Sequence, residues 1–301
     1  MERIPSEWPR PIGHAPWKNY RVISGHLGWV RSVAVDPSNT WFCTGSDRTI
    51  KIWDLASGRL KLTLTGHIEQ IRGLAVSSKH TYIFSAGDDK QVKCWDLEQN
   101  KVFIVWLYIP QLMSCLLEDV ILFAGSGIYA VKCKSMHFQA MITLFALFTR
   151  PTDPQVVTGS HDTTIKFWDL RYGKTMVTLA NHKKSVRAMA LHPKEYVPIS
   201  KTIINAMAVN EEGVMVTGGD NGSLWFWDWK SGHNFQQAQI IVQPGSLDSE
   251  AGIYALNYDV TGSRLITCEA DKTIKMWKED ETATPETHSL NFRPPKEIRR
   301  F

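Results

Sequence analysis

The sequence predicts an all-β chain of small, repeated antiparallel sheets, and three observations carry the prediction. A strand–turn–strand pattern recurs five times, a fixed spacing links an acidic residue to a tryptophan in each copy, and a Gly-His pair followed by an apolar strand opens two of the copies. The copies run from Thr44 to Asp54, Ser85 to Asp96, Thr158 to Asp169, Thr217 to Asp228 and Thr267 to Lys278. Asp47, Asp89, Asp162, Asn221 and Asp271 each stand six positions before Trp53, Trp95, Trp168, Trp227 and Trp277. Each copy reads as a strand, a polar tight turn and a second strand ending in Trp. Gly25-His26 and Gly66-His67 open two copies, and Asn181-His182 is a third such start. The apolar strands that follow are Val33-Ala34-Val35, Leu74-Ala75-Val76 and Ala188-Met189-Ala190-Leu191.

Gly-His near the start, a strand Ser/Thr, a turn Asp and a closing Trp-Asp together resemble the WD-repeat family of β-propellers. The resemblance implies four-stranded blades packed radially, none able to bury its own faces alone. It also implies hydrogen-bonded sets that tie each outer loop to its hairpin: His26, Thr44, Asp47 and Trp53; His67, Ser85, Asp89 and Trp95; Thr158, Asp162 and Trp168; Thr267, Asp271 and Trp277. The His, Ser/Thr and Asp of a set also match the side chains of a hydrolytic triad. A nucleophile is needed once, however, and this set recurs, so it is read as structural. Such a buried polar chain stabilises only when every member is satisfied.

The repeat is damaged in two places. Successive repeat tryptophans are 42, 73, 59 and 50 residues apart, and only the first interval equals one blade. Within residues 102–147, Gly125 to Lys134 mimics the hairpin but puts Ile128 in the Asp position and Lys134 in the Trp position, as a degenerate blade would. After Leu191 the chain passes through 192–202 directly to another opening strand, so half a blade is missing. The first copy is also one residue shorter between Thr44 and Asp47 than the third is between Thr158 and Asp162. The expectation is a nominally seven-bladed ring with one degenerate and one truncated blade. Six blades or an incompletely closed ring are the alternatives, because Tyr20 to Lys278 spans 259 residues against about 294 for seven full blades. The domain reading is an N-terminal extension over 1–19, the propeller over 20–279 and a basic tail over 280–301. The apolar run Val102 to Leu117, broken by Pro110, is 16 residues long. A membrane-spanning helix needs about 20, so the run reads as a buried or poorly packed strand pair.

Charge and motif content narrow the function. A formal net charge of +4 is too small to mark a dedicated nucleic-acid surface. Five dispersed cysteines without a Cys-x-x-Cys pair argue against a disulfide framework or zinc site and fit a reducing compartment. There is no phosphate-binding Gly-x-x-x-x-Gly-Lys loop, Gly-x-Ser-x-Gly elbow or His-Glu-x-x-His pair, so no enzyme, metal or cofactor is expected. More individual segments include Ala15 to Arg31, Asp89 to Leu97, Gly159 to Asp169, Val242 to Gly252 and Pro294 to Phe301. With them the chain resembles the pleiotropic regulator 1 family of nuclear WD-repeat splicing factors, in its plant PRL-one form. The likeness covers 15–101 and 148–301 well and 102–147 poorly. It implies a nuclear, non-catalytic scaffold that binds spliceosomal proteins of the NineTeen complex in pre-mRNA splicing. It also implies an alternative role as substrate receptor of a cullin-4 ubiquitin ligase, through the Trp168-Asp169-Leu170-Arg171 motif. A non-functional truncated isoform or gene model is the third reading.

A scaffold needs convergent exposed side chains. Arg31, Arg72 and Arg187 each lie five residues after His26, His67 and His182, so they are expected at one mouth of the ring, with Lys183 and Lys184 beside them. Guanidinium forks suit carboxylate or phosphate, which points to an acidic peptide and, as an auxiliary contact, RNA. The competing expectation is that each Arg pairs with a local Asp or Glu and tightens its blade. Trp29 and Trp225 are not repeat tryptophans and are candidate interface anchors or inter-blade packing. No membrane or small-molecule partner is expected.

Overall fold

The computed structural model describes residues 10–78, 80–89, 91–107, 144–149, 155–160, 162–169, 174–180, 182, 185–190 and 204–283. Among them are nineteen strands, one 3-10 turn and no α-helix. Blade 1 holds β2 (Ser32–Val35), β3 (Trp41–Gly45), β4 (Asp47–Asp54) and the first part of β5 (Leu60–Val76). Blade 2 holds the rest of β5, then β6 (Tyr82–Gly87), β7 (Gln91–Asp96) and β8 (Lys101–Leu107). Blade 3 is β9 (Leu144–Thr149), β10 (Gln155–Ser160), β11 (Ile165–Asp169) and β12 (Lys174–Leu179). Blade 4 is β13 (Ile204–Val209), β14 (Val214–Gly219), β15 (Ser223–Asp228) and β16 (Asn234–Gln239). Blade 5 joins β17 (Ile253–Tyr258), β18 (Arg264–Glu269) and β19 (Ile274–Glu279) to β1 (Trp17–Ile23), in the order β1-β19-β18-β17.

Every pairing is antiparallel, as short turns between successive strands require. The turn residue explains the local geometry. Asp162 Oδ1 accepts from the Thr164 N–H at 2.9 Å and Asp271 Oδ1 from the Thr273 N–H at 3.0 Å. Asn221 makes the same bond to Ser223. The residue between is left-handed in each case, with φ of 70° at Thr163, 70° at Lys272 and 76° at Gly222. β1 carries no repeat motif, yet it zips against β19 from Trp17↔Glu279 to Ile23↔Ile274, so the two ends of the chain share one sheet. The strand begins inside the segment expected to be an extension, and Trp17 is buried.

Three seams hide apolar faces between neighbouring blades. Ile50, Ile52 and Leu64 of blade 1 pack with Ile71, Ile83 and Trp95 of blade 2. Phe226 and Leu224 of blade 4 pack with Ile253, Leu265, Trp277 and Trp17 of blade 5. Ile266 and Met276 of blade 5 pack with Val30, Phe42 and Trp53 of blade 1. Backbone bonds cross the seams too, from Val30 N–H to Glu269 O at 3.1 Å and from Ile71 N–H to Ser46 O at 3.3 Å.

Residues 185–190 lie between blades 3 and 4, where Val186 and Met189 meet Ile165 and Phe167, and Ala188 and Ala190 meet Ile204 and Trp229. They belong to no sheet among the described residues. The two ends of the stretch read as a degenerate blade have a different place: β8 is the outer strand of blade 2 and β9 the inner strand of blade 3. The Gly125–Lys134 hairpin itself lies outside the described residues.

The hydrogen-bonded sets differ from blade to blade. In blade 2 the set is complete. His67 Nδ1–H donates to Asp89 Oδ2 at 2.8 Å, His67 Nε2 accepts from Ser85 Oγ at 2.7 Å, and Trp95 Nε1 donates to Ser85 Oγ at 2.8 Å. Burial would raise the Asp89 carboxyl, but bonds from the Ile68 N–H and His67 hold it below its ordinary range. Blade 1 keeps His26 to Thr44 at 2.7 Å and Trp53 to Thr44 at 2.8 Å. Asp47, however, is not part of this chain, which corrects the expectation. With one residue fewer after Thr44, Asp47 is drawn into β4, its carboxylate lies against Gly28, and His26 Nδ1 is buried without a partner. Burial and the nearby Lys51 ammonium push the His26 imidazole down to about 3.

In blades 3 and 4, Trp168 donates to Thr158 at 2.8 Å and Trp227 to Thr217 at 3.0 Å. Asp162 serves its own turn through Thr164. Blade 5 keeps Trp277 to Thr267 at 3.2 Å but has no histidine; Thr267 Oγ1 donates to Glu269 at 3.1 Å, and Lys275 Nζ pairs with Glu269, lies 3.6 Å from Asp271 and donates to the Ile241 carbonyl, as Lys51 and Lys93 do to Gly25 and Gly66. Burial pushes the Glu269 carboxyl up to about 7, against the pull of Lys275.

These differences give two expectations. Asp89→Ala strands the His67 and Ile68 N–H groups and costs about 1–3 kcal/mol in denaturant unfolding, whereas Asp47→Ala costs about 0.5 kcal/mol or less. Inserting one residue between Ser46 and Asp47 returns a carboxylate to His26 Nδ1. The native chain loses stability as pH falls from about 6.5, where unfolded histidine protonates, toward about 3, where the folded one does. The insertion weakens that acid sensitivity, measured as unfolding midpoints across the same pH range.

Candidate functional site

The loop after each opening histidine delivers the following side chains to one end of the sheets. In blade 1 the buried His26 anchors the loop, Gly28 lets the chain pass the Asp47 carboxylate, and the Arg31 N–H is fixed to Gly45 O at 3.0 Å. A Cβ at Gly28 would lie 1.6 Å from Asp47 Oδ2, so that approach needs glycine. The Arg31 guanidinium then packs against a pair of rings, its Cζ 4.9 Å from the centre of Trp29 and 4.5 Å from that of Tyr254. The rings themselves stack at 5.7 Å, and Trp29 Nε1 donates to Glu250 at 3.4 Å. Arg31 Nε is buried with no hydrogen-bond partner. Burial, with the neighbouring Arg72, lowers the Arg31 pKa.

Arg31 and Arg72 line one surface depression of about 420 Å³ with Asp47, Arg48, Glu69, Gln70 and Asp88. Arg72 Nε donates to Asp88 Oδ2 at 2.8 Å. The expected electropositive mouth is therefore of mixed charge, three guanidiniums facing three carboxylates, because the loop that carries each arginine meets an acidic turn from the same or the adjacent blade. Arg187 holds the matching position in the 185–190 segment and does not line this depression. Lys183, Lys184 and Arg171 lie outside the described residues. Trp29 is partly packed and 36% exposed. Trp225 lies beside Trp227 at 5.6 Å on blade 4. Tyr254 and Glu250, which contact Arg31 and Trp29, come from a segment with no repeat motif more than 200 residues away, and no signal in the sequence marks them.

The triad-like sets have no route to a substrate. Ser85 and Thr44 are completely buried, and both oxygens already accept from a tryptophan N–H. A hydroxyl held this way between a ring N–H and an imidazole, with no space beside it, locks a hairpin. Among the described residues no group of His, Cys, Asp and Glu is arranged to hold a metal ion.

The family described as WD domain, G-beta repeat matches residues 17–54, 58–96, 142–169, 173–228 and 240–278. The fourth span takes in the 185–190 remnant and blade 4 together, and 97–141 stays outside all five. Protein pleiotropic regulator PRL2 of Arabidopsis thaliana is 64% identical over 338 residues, covering 100% of this chain and 70% of its own length. Protein pleiotropic regulatory locus 1 of the same plant is 68% identical, covering 100% and 69%. Pre-mRNA-splicing factor PRP46 of Saccharomyces cerevisiae is 44% identical, covering 97% and 73%. The 338 matched positions of the first exceed the 301 residues present here by 37, the order of the shortfall that the repeat spacing implies. By repeat, by fold and by identity along its whole length, the chain belongs to the pleiotropic regulator family of WD-repeat proteins.

Proposed function

We propose that the chain is a non-catalytic scaffold in pre-mRNA splicing, acting in the nucleus by holding spliceosomal proteins of the NineTeen complex. The observation that carries this reading is the likeness, over 97% of the chain, to a yeast protein named as a pre-mRNA-splicing factor. A blade-locking role for every triad-like set is in keeping with it. The docking element we assign to the scaffold is Arg31 beside the Trp29–Tyr254 pair, with Arg72 and the exposed part of Trp29. A guanidinium packed against two rings has lost part of its rotamer freedom before binding, and its fork suits a carboxylate on an acidic peptide. The mixed charge of the depression argues for such a peptide over an RNA backbone, which neutral sites hold weakly.

The cullin-4 adaptor reading has less support. Trp168 is buried and donates to Thr158, so it serves its own blade. The test of the scaffold reading is capture of spliceosomal proteins from nuclear extract on the immobilised chain. Arg31→Glu with Trp29→Ala is expected to lower that capture at least tenfold, about 1.4 kcal/mol or more, with the far-ultraviolet circular dichroism unchanged. Undiminished capture by the folded double variant removes the docking assignment. Absence of splicing proteins from the native chain's capture removes the scaffold reading itself.

A further inference from the structure

In blade 5 a glutamate fills the space that a histidine fills in blade 2. Lys275 Nζ donates to the Ile241 carbonyl as Lys93 does to that of Gly66, so Val242 stands where blade 2 has His67. Glu269 follows its strand threonine by two residues, as Gly87 follows Ser85, and a Cβ at Gly87 would lie 2.8 Å from His67 Nδ1. The Glu269 side chain takes the vacated space, where Thr267 Oγ1 donates to it at 3.1 Å and Lys275 pairs with it. Asp271 Oδ2 lies 3.6 Å from the same ammonium. Glu269 is completely buried, and Asp271 and Lys275 are nearly so. Two carboxylates and one ammonium leave one negative charge uncompensated in the interior, an unfavourable state that one bound proton removes. Burial accordingly pushes Glu269 up to about 7.

This cluster holds both halves of the Trp29–Tyr254–Arg31 group. The Glu269 main-chain carbonyl accepts from the N–H of Val30, between Trp29 and Arg31, at 3.1 Å. Lys275 Nζ reaches the Ile241 carbonyl at 2.9 Å, and Asp271 Oδ2 accepts from the Gln243 N–H at 3.1 Å. The segment anchored in this way carries Glu250, which accepts from Trp29 Nε1, and leads into Tyr254, on which Arg31 packs. Among the described residues Lys275 and Asp271 are the charged groups that act on Glu269. The ionisable side chains of the facing blade 1 loop feel other charges, His26 that of Lys51 and Arg31 those of Arg72, Tyr254, Asp88 and Asp47. The neighbouring thiols stay neutral, since burial pushes Cys43 up to about 12 and Cys268 well above its ordinary value.

We propose that Glu269 is a proton-operated switch for this group. With the carboxyl ionised, the Lys275 ammonium is shared between Glu269 and Asp271. When Glu269 takes a proton from solvent, the ammonium turns to Asp271 Oδ2 and competes there with the Gln243 N–H. The segment that bears Glu250 and Tyr254 then shifts against Trp29 and Arg31. The switch itself assumes nothing about what docks on these residues; its use in regulating capture rests on the docking reading above.

The test is the Trp29 indole N–H resonance of the full chain, assigned with Trp29→Phe and followed by nuclear magnetic resonance from about pH 5.5 to 8.5. The native resonance is expected to move in one sigmoidal step centred near 7. In Glu269→Gln it stays fixed, and every histidine is retained there, so a shift of histidine origin would persist. In Asp271→Asn the midpoint falls by about one pH unit, because a like charge no longer opposes ionisation of Glu269. Stability gives a second readout. A carboxyl raised from 4.5 to about 7 on folding favours the folded chain fully below 4.5 and loses that contribution as pH rises through 7. The unfolding midpoint of the native chain relative to Glu269→Gln therefore falls over that range. A native Trp29 resonance that does not move overturns the proposal, as does a step that survives Glu269→Gln. An unchanged midpoint in Asp271→Asn overturns the part given to Asp271. No partner enters these readouts, so failure of the docking reading and failure of the switch are told apart.

Discussion

A four-stranded sheet has two apolar faces, and among the described residues no helix covers them, so the structure depends on blades sealing against one another. The seam residues make this concrete. Phe42, Phe226, Ile50, Ile71, Ile253 and Ile266 are fully buried, and each lies where one blade meets another. Burying a side chain of that size is worth about 1.5–3 kcal/mol. The sum over the seams is what the strands themselves, short and mostly six residues long, cannot supply alone. The strand β1 extends the same principle to the ends of the chain, because Trp17 and Ile23 each complete a seam that blade 5 could not close by itself.

The polar sets are subordinate to those seams but decide how well each blade is locked. Blade 2 satisfies every member of its set, whereas blade 1 loses one bond to a single missing residue. In blade 5 the strand threonine meets Glu269 where blades 1 and 2 have a histidine, and Lys275 pairs with that carboxylate. The same four-residue arrangement therefore tolerates loss and substitution in different blades, which is what a structural role permits and a catalytic one does not. The docking element uses the ends of these elements. Arg31 is placed by the loop His26 anchors, and packed on Tyr254 of the neighbouring blade, so its position depends on the seam between blades 5 and 1.

Much of this was legible in the sequence. The constant six-residue step from acid to tryptophan located five hairpins, and the intervals between tryptophans marked where the spacing departs from one blade. The shortened stretch between Thr44 and Asp47 was visible too, although its effect needed the structure, since only there does His26 lose its Nδ1 partner. Other features were not legible, for physical reasons. β1 has no motif, because a strand that only completes a sheet needs pairing and one buried face. Tyr254, Glu250 and the Glu269–Lys275 pair act through neighbours distant in sequence. The mixed charge around Arg72 was hidden because a periodic arginine says nothing of the carboxylates on the adjoining turns.

Native-state hydrogen exchange tests the dependence on sealed seams most directly. If the seams hold the blades together, the amides of β3, β6, β14 and β18 exchange through one common opening with a single free energy. Independent opening of blades 1, 2, 4 and 5, each with its own free energy, would contradict the account.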